Sequence, residues 1–195
     1  MMNQPTDQNP KLGAPGAGLP LPELILARYV FRKRCRKSRE YAKSSFEAER
    51  EEIRRLVEKT GMGILAKPVL IKRLRGLEDS SRYWSVLMVL EHLRMVNGMV
   101  ALTIRSLDKG AVPGIVADTA NVKPDPDITS SVIDEHEKVC DMLINCAERV
   151  ADLHTAAEFR HPWFGPLDGH EWFHLAGFHM GLHRRQIEKI LQVSG

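Results

Sequence analysis

The sequence predicts an all-α protein: an antiparallel four-helix bundle behind a flexible N-terminal tail. Three observations predict it. Apolar residues recur at helical spacing through three long segments, and no segment alternates apolar and polar residues as a half-buried strand would. In a further stretch, from Glu23 to about Lys59, almost every residue is a good helix former and neither Gly nor Pro intervenes. At 195 residues the chain suits one domain, assigned to residues 23–195, with residues 1–22 as a tail. That tail is rich in Pro, Gly, Asn and Gln. It buries too little apolar surface to offset ordering, so flexibility is expected.

The helices follow in order. A straight helix over 23–60 would span about 55 Å, so a bend is expected near Ser44 and Ser45, and Gly61 and Gly63 end the segment. Pro68 suits the first position of a short helix reaching about Arg75. The helix over 81–107 places Met88, His92, Met95, Met99 and Leu102 at alternating steps of four and three. Its remaining surface is also largely apolar, which puts it at the centre of the fold. Residues 108–128 form a connection without periodicity. The helix over 130–155 starts at Thr129-Ser130-Ser131, where Ser131 and Asp134 match a capping box. Its seam is Val132, His136, Val139, Leu143, Cys146, Val150 and Leu153. The last helix, over 169–192, has Asp168 as N-cap with Glu171 as its partner, and a stripe of Trp172, Ala176, His179, His183, Gln186 and Ile190. Gly177 and Gly181 on its flank suit close helix approach, although Gly181 is equally read as incidental.

Composition is that of an ordinary globular chain, 43% apolar and 27% charged. Three cysteines, Cys35, Cys140 and Cys146, show no CxxC spacing. They argue against a disulfide framework or zinc knuckle and read as reduced thiols of a cytoplasmic protein. The first residues carry no basic start followed by an apolar run, so no secretory signal is expected. The apolar stretch 84–104 is interrupted by Glu91, His92, Arg94 and Asn97, which fits a buried helix and no membrane span. Seven of the 28 basic residues (Arg28, Arg32, Lys33, Arg34, Arg36, Lys37 and Arg39) fall within a stretch that contains no acid. The other 21 are outnumbered by 25 acidic residues. The protein lacks the global basic field of a nucleic-acid binder, and the strip reads as a solvated helix face.

Four of the eight histidines, His92, His136, His179 and His183, fall on core-facing stripes. A lone seam histidine is usually a core residue with its hydrogen bonds satisfied, and His136 is read so, or as a pocket wall. His179 and His183 are four apart, so both rings point from one helix face. With His92 from the central helix they make three neutral nitrogen donors, a set that suits Zn²⁺ or Ni²⁺ with one position open. Gln186 lies one turn further along the same stripe. It either supports a ligand histidine or a bound water, or is a buried Gln bonded to backbone. His170 and His174 share the four-residue spacing on a face expected to be more exposed.

The stretch Trp84-Ser85-Val86-Leu87-Met88-Val89-Leu90-Glu91-His92-Leu93 resembles the second-helix signature of the DinB-like superfamily. His161-Pro162-Trp163-Phe164-Gly165-Pro166-Leu167, then Glu171-Trp172 and His179-Met180-Gly181-Leu182-His183-Arg184-Arg185-Gln186-Ile187, is similar to its C-terminal half. The likeness covers roughly residues 24–192. It implies a four-helix bundle with a three-histidine metal site on His92, His179 and His183. Some members are thiol-dependent transferases or isomerases, so it also implies a small-molecule substrate, a low-molecular-weight thiol among the candidates, and a homodimer as a possible assembly. The chain departs from that pattern in its tail, its basic first helix, its long 108–128 connection and His136. The rival reading is a non-enzymatic bundle whose metal or histidine cluster is structural and whose basic helix meets a protein or nucleic acid.

Overall fold

The computed structural model describes residues 10–114 and 116–195. The helices are α1 (Leu21–Arg34), α2 (Arg39–Glu58), α3 (Met62–Leu65), α4 (Val86–Asp108), α5 (Val132–Arg149) and α6 (Gly169–Ser194). Two short antiparallel ribbons join them: β1 (Val69–Leu70) with β2 (Tyr83–Trp84), and β3 (Phe159–His161) with β4 (Gly165–Leu167). The four long helices α2, α4, α5 and α6 form the bundle, and α1 lies against it with Phe31 as its one buried side chain.

Side-chain contacts fix the helix directions. Arg94 lies 3.5 Å from Glu135, Asn97 Nδ2 lies 3.7 Å from Cys140 Sγ, and the Cys146 thiol donates to Ala101 O at 3.3 Å. The numbers rise together, so α4 and α5 are parallel. Gly177 faces Phe46 and Gly181 faces Glu49, so α2 and α6 are parallel as well. Arg50 pairs with Glu137 and Asp141 while Lys43 pairs with Glu148, so α2 and α5 oppose each other. The order is up-down-down-up. It explains the long connection 109–131: parallel neighbours need a crossover that returns along the length of α4, about 35 Å at 1.5 Å per residue.

α4 is the central element, and it is apolar on nearly every side. Among the described residues it is the one helix long and apolar enough, by length and composition, to cross a membrane, and 72% of that window is buried inside the bundle.

Several expectations are corrected. The break in the first segment falls at Cys35–Ser38, where the Ser38 side chain caps α2 by accepting from Tyr41 N at 3.3 Å. Ser44 and Ser45 lie inside α2. No helix starts at Pro68: the backbone there pairs as β1 with β2, and Ile71 N donates to Arg82 O at 3.0 Å. The apolar run Val69-Leu70-Ile71 finds partners across a ribbon, so local helix bonds are not formed. The ribbons are the strands that periodicity missed, because two or three residues cannot display a period. α4 is capped by Ser85, which accepts from Met88 N at 3.1 Å. The stripe chosen on it drifts outward at Leu102, which is 59% exposed. Ser131 forms no capping box, since it is already helical and its side chain bonds Thr129 Oγ1 instead. Asp168 and Glu171 do form theirs.

The basic strip is not merely a solvated face. Arg28 donates to Trp163 O at 2.6 Å, Arg32 pairs with Glu171 and donates to Phe164 O at 3.1 Å, and Arg34 bonds Ser45. Arg39 reaches the carbonyls of Ala147 and Val150 at the C-terminal end of α5. Of the segment expected as a tail, residues 10–20 run without repeating structure, and the amides of Gly16 and Gly18 donate to Glu78 at 3.1 Å each. The flexibility expected for residues 1–9 falls outside the described residues.

Candidate metal centre

Antiparallel packing of α4 on α6 brings His92 against His179 and His183. Both the His92 and the His183 Nε2 lie 3.1 Å from His179 Nε2, and one nitrogen from each ring falls within 4.8 Å of the others. Two Zn–N bonds of about 2.0–2.1 Å at a tetrahedral angle separate their nitrogens by about 3.4 Å, close to this spacing.

Hydrogen bonding fixes which nitrogens carry protons. His92 Nδ1 lies 2.6 Å from Val122 O, and a carbonyl only accepts, so that nitrogen is N–H. Gln186 Nε2 donates to Ser81 O at 2.7 Å, which turns its Oε1 toward His183 Nδ1, also at 2.7 Å. The Nδ1 of His183 is therefore N–H too. Two Nε2 lone pairs then face the His179 Nε2. One proton on His179 could satisfy one of them and never both, whereas a cation among the three satisfies every lone pair.

The rings are held neutral. Burial pushes His92 down to about 4, with the Val122 carbonyl opposing, and pushes His179 and His183 well below the ordinary imidazole value. Burial thus keeps three imidazoles in the form that binds metal. His179 Nδ1 is buried and lacks a partner among the described residues. The residues fit a divalent ion with nitrogen donors.

The centre opens on a cavity of about 310 Å³. Leu26 and Val30 of α1, Trp84, Trp163 and Phe178 give it apolar walls. The Trp84 ring stacks on His183 at 6.3 Å and 11° and shields it from water. Gln186, read either as a support for a ligand histidine or as a buried Gln bonded to backbone, is buried and bonds both the His183 ring and the Ser81 carbonyl. His136 is a core residue, 3.5 Å from Cys140 Sγ and from Glu137, and does not line the cavity. His170 and His174 are not exposed. Both are buried, and they donate from Nε2 to Lys37 O at 3.1 Å, with His170 also bonding Cys35 O at 3.2 Å. Sequence reasoning also missed His161 as a cavity wall; its place at the head of the His-Pro-Trp-Phe-Gly-Pro loop was the available signal.

A four-helix bundle with three converging histidines on two of its helices defines the class of the protein. The model of the DinB superfamily matches residues 45–187, and the chain belongs to that superfamily. Among solved structures, the crystal structure of TT2238, a four-helix bundle protein, shares the fold. It is 21% identical with a TM-score of 0.58, over 76% of this chain and 97% of that one. No curated protein matches.

Proposed function

We propose that the protein is a metal-dependent enzyme of the thiol-transferase kind, with Zn²⁺ or Ni²⁺ on His92, His179 and His183. The carrying observation is the head-to-head arrangement of three neutral Nε2 atoms at the floor of a cavity. Held by these three histidines with one position open, a divalent ion would supply the Lewis acidity that lowers the pKa of a thiol or water to near neutrality. The chain's own residues orient and shield: Val122 O and Gln186 aim two ligand rings, and Trp84, Trp163 and Phe178 keep water from the floor.

The thiol comes from outside the chain in this reading. Burial pushes the Cys35 and Cys140 thiols up to about 12 and raises Cys146 as well, so none offers a thiolate near neutrality. A small thiol in the cytoplasm is the cosubstrate this suits. A homodimer belongs to the same reading, with the exposed Leu21, Ile25 and Tyr29 of α1 as contact surface. Nucleic acid does not, because four of the seven strip residues bond within the chain.

Cobalt-substituted protein tests the thiol directly. Adding a low-molecular-weight thiol should produce a sulfur-to-cobalt charge-transfer band that His179→Ala loses. An unchanged cobalt spectrum at saturating thiol would contradict this function while leaving the metal centre standing.

A further inference from the structure

His161 ends β3 at the wall of the cavity that holds His92, His179 and His183. Its ring is packed between Phe164 and Trp172, with centroids at 5.0 and 5.6 Å. The next residues turn tightly, and Gly165 takes φ +81, where a side chain would be strained. That turn aims the backbone N–H of Trp163 at His161 Nδ1, 3.1 Å away. A nitrogen that accepts carries a lone pair, so the neutral ring bears its proton on Nε2. Burial pushes this histidine down to about 4, and the ring is neutral at pH 7. No acceptor for the Nε2–H is found among the described residues.

This tautomer is the reverse of that on His92 and His183. One cavity therefore holds nitrogen lone pairs at its floor and a fixed N–H donor in its wall. Its charged lining is mixed, and the carboxylates are all engaged by donors. Glu23 is held by Arg73 and the Gly76 amide, Glu78 by the Gly16 and Gly18 amides, and Asp118 by the Ala120 amide. Arg75, Lys123 and Arg185 line the same space and enter no ion pair among the described residues. With Glu23 paired to Arg73, the three basic side chains exceed the carboxylates of Glu78 and Asp118 by one, and the rest of the wall is largely apolar.

We propose that His161 is a substrate-binding residue. Its Nε2–H donates to a carboxylate or carbonyl oxygen of a small, largely apolar acid bound in the cavity beside the three-histidine centre. The inference rests on the function proposed above, whose second substrate it describes, but its geometry needs no metal.

Long-range ¹H–¹⁵N spectra of the full chain, zinc-loaded and metal-free, test it with benzoate as probe. The expected result is an Nε2–H tautomer for His161 at pH 7 in both forms, and a saturable shift of that nitrogen on adding benzoate. His161→Phe keeps the ring packing and should keep the zinc, while weakening benzoate by about tenfold, the loss of one good hydrogen bond. His161→Gln, which retains an N–H donor, should recover part of that loss. A proton on Nδ1, no benzoate binding in either form of the wild type, or unchanged affinity in His161→Phe would each overturn the inference. If the Phe variant fails to fold, the wild-type tautomer and titration decide. Absence of zinc from the wild type would count against the metal function alone, since the metal-free measurements stand.

Discussion

Gln186 joins two parts of the molecule through one amide: its nitrogen is anchored on Ser81 O, and its oxygen sets the proton of His183. Gln186→Leu keeps the volume and removes both bonds. Metal affinity should fall by about 10–100-fold in a chelator competition, with the fold retained. An unchanged affinity would show that His183 needs no orientation from Gln186. Protons give a second residue-scale test. His92 and His161 are held near 4, and His179 and His183 well below 6.5, by burial. In the unfolded chain they titrate near 6.5, at about the free-imidazole value, so below that pH the unfolded state binds more protons. Stability of the metal-free protein, full above about pH 6.5, should be lost as pH falls toward 4. A melting temperature flat between pH 7 and pH 5 would contradict neutral burial. The histidine cluster was legible because 3.6-residue spacing puts His92, His179 and His183 on inward stripes. The tautomers were not, since Val122 lies in a connection with no periodicity and Ser81 lies in a short turn before α4 and not in the helix expected from residue 81.

At the scale of the element, the α1–α2 corner shows why helix boundaries were harder to read than helix faces. Almost every residue of 23–59 is a good helix former and neither Gly nor Pro intervenes, so propensity gives no strong reason to break at Cys35. The break is tertiary in origin. His170 and His174, on the first turns of α6, take up the carbonyls of Cys35 and Lys37 that a continuous helix would have used itself. Replacing both with Ala should lower stability by about 2–4 kcal/mol, through unpaired carbonyls and a cavity, and leave metal content unchanged. Denaturant unfolding and metal analysis of the double variant read the two effects separately, and loss of metal would mean that this pair, not His179 and His183, holds it. The same logic applies at Pro68. Its local signal was sound for a helix start, but the Val69-Leu70 backbone found β2 across the chain. Where caps were real they were local: Asp168 and Glu171 satisfy each other within one turn.

Across the whole molecule, direction matters as much as helix count. Four main helices were evident from periodicity and helix-forming composition, whereas up-down-down-up order was not, because stripes carry no information on which neighbours run parallel. The long 109–131 connection was the visible trace of that order. It also delivers Val122 to His92, so the crossover that makes α4 and α5 parallel helps to build the site. α4 and α6 run antiparallel, which lets a histidine in the first half of one meet a pair about the middle of the other. His92, His179 and His183 should together hold one divalent ion per chain. Metal content of protein purified without a histidine tag, for the wild type and for His92→Ala, tests it most directly. The account predicts about one ion per chain in the wild type and none held against a chelator in the variant, since two nitrogens seldom retain an ion. A wild type without metal, or a His92→Ala protein that keeps a full equivalent, would contradict it.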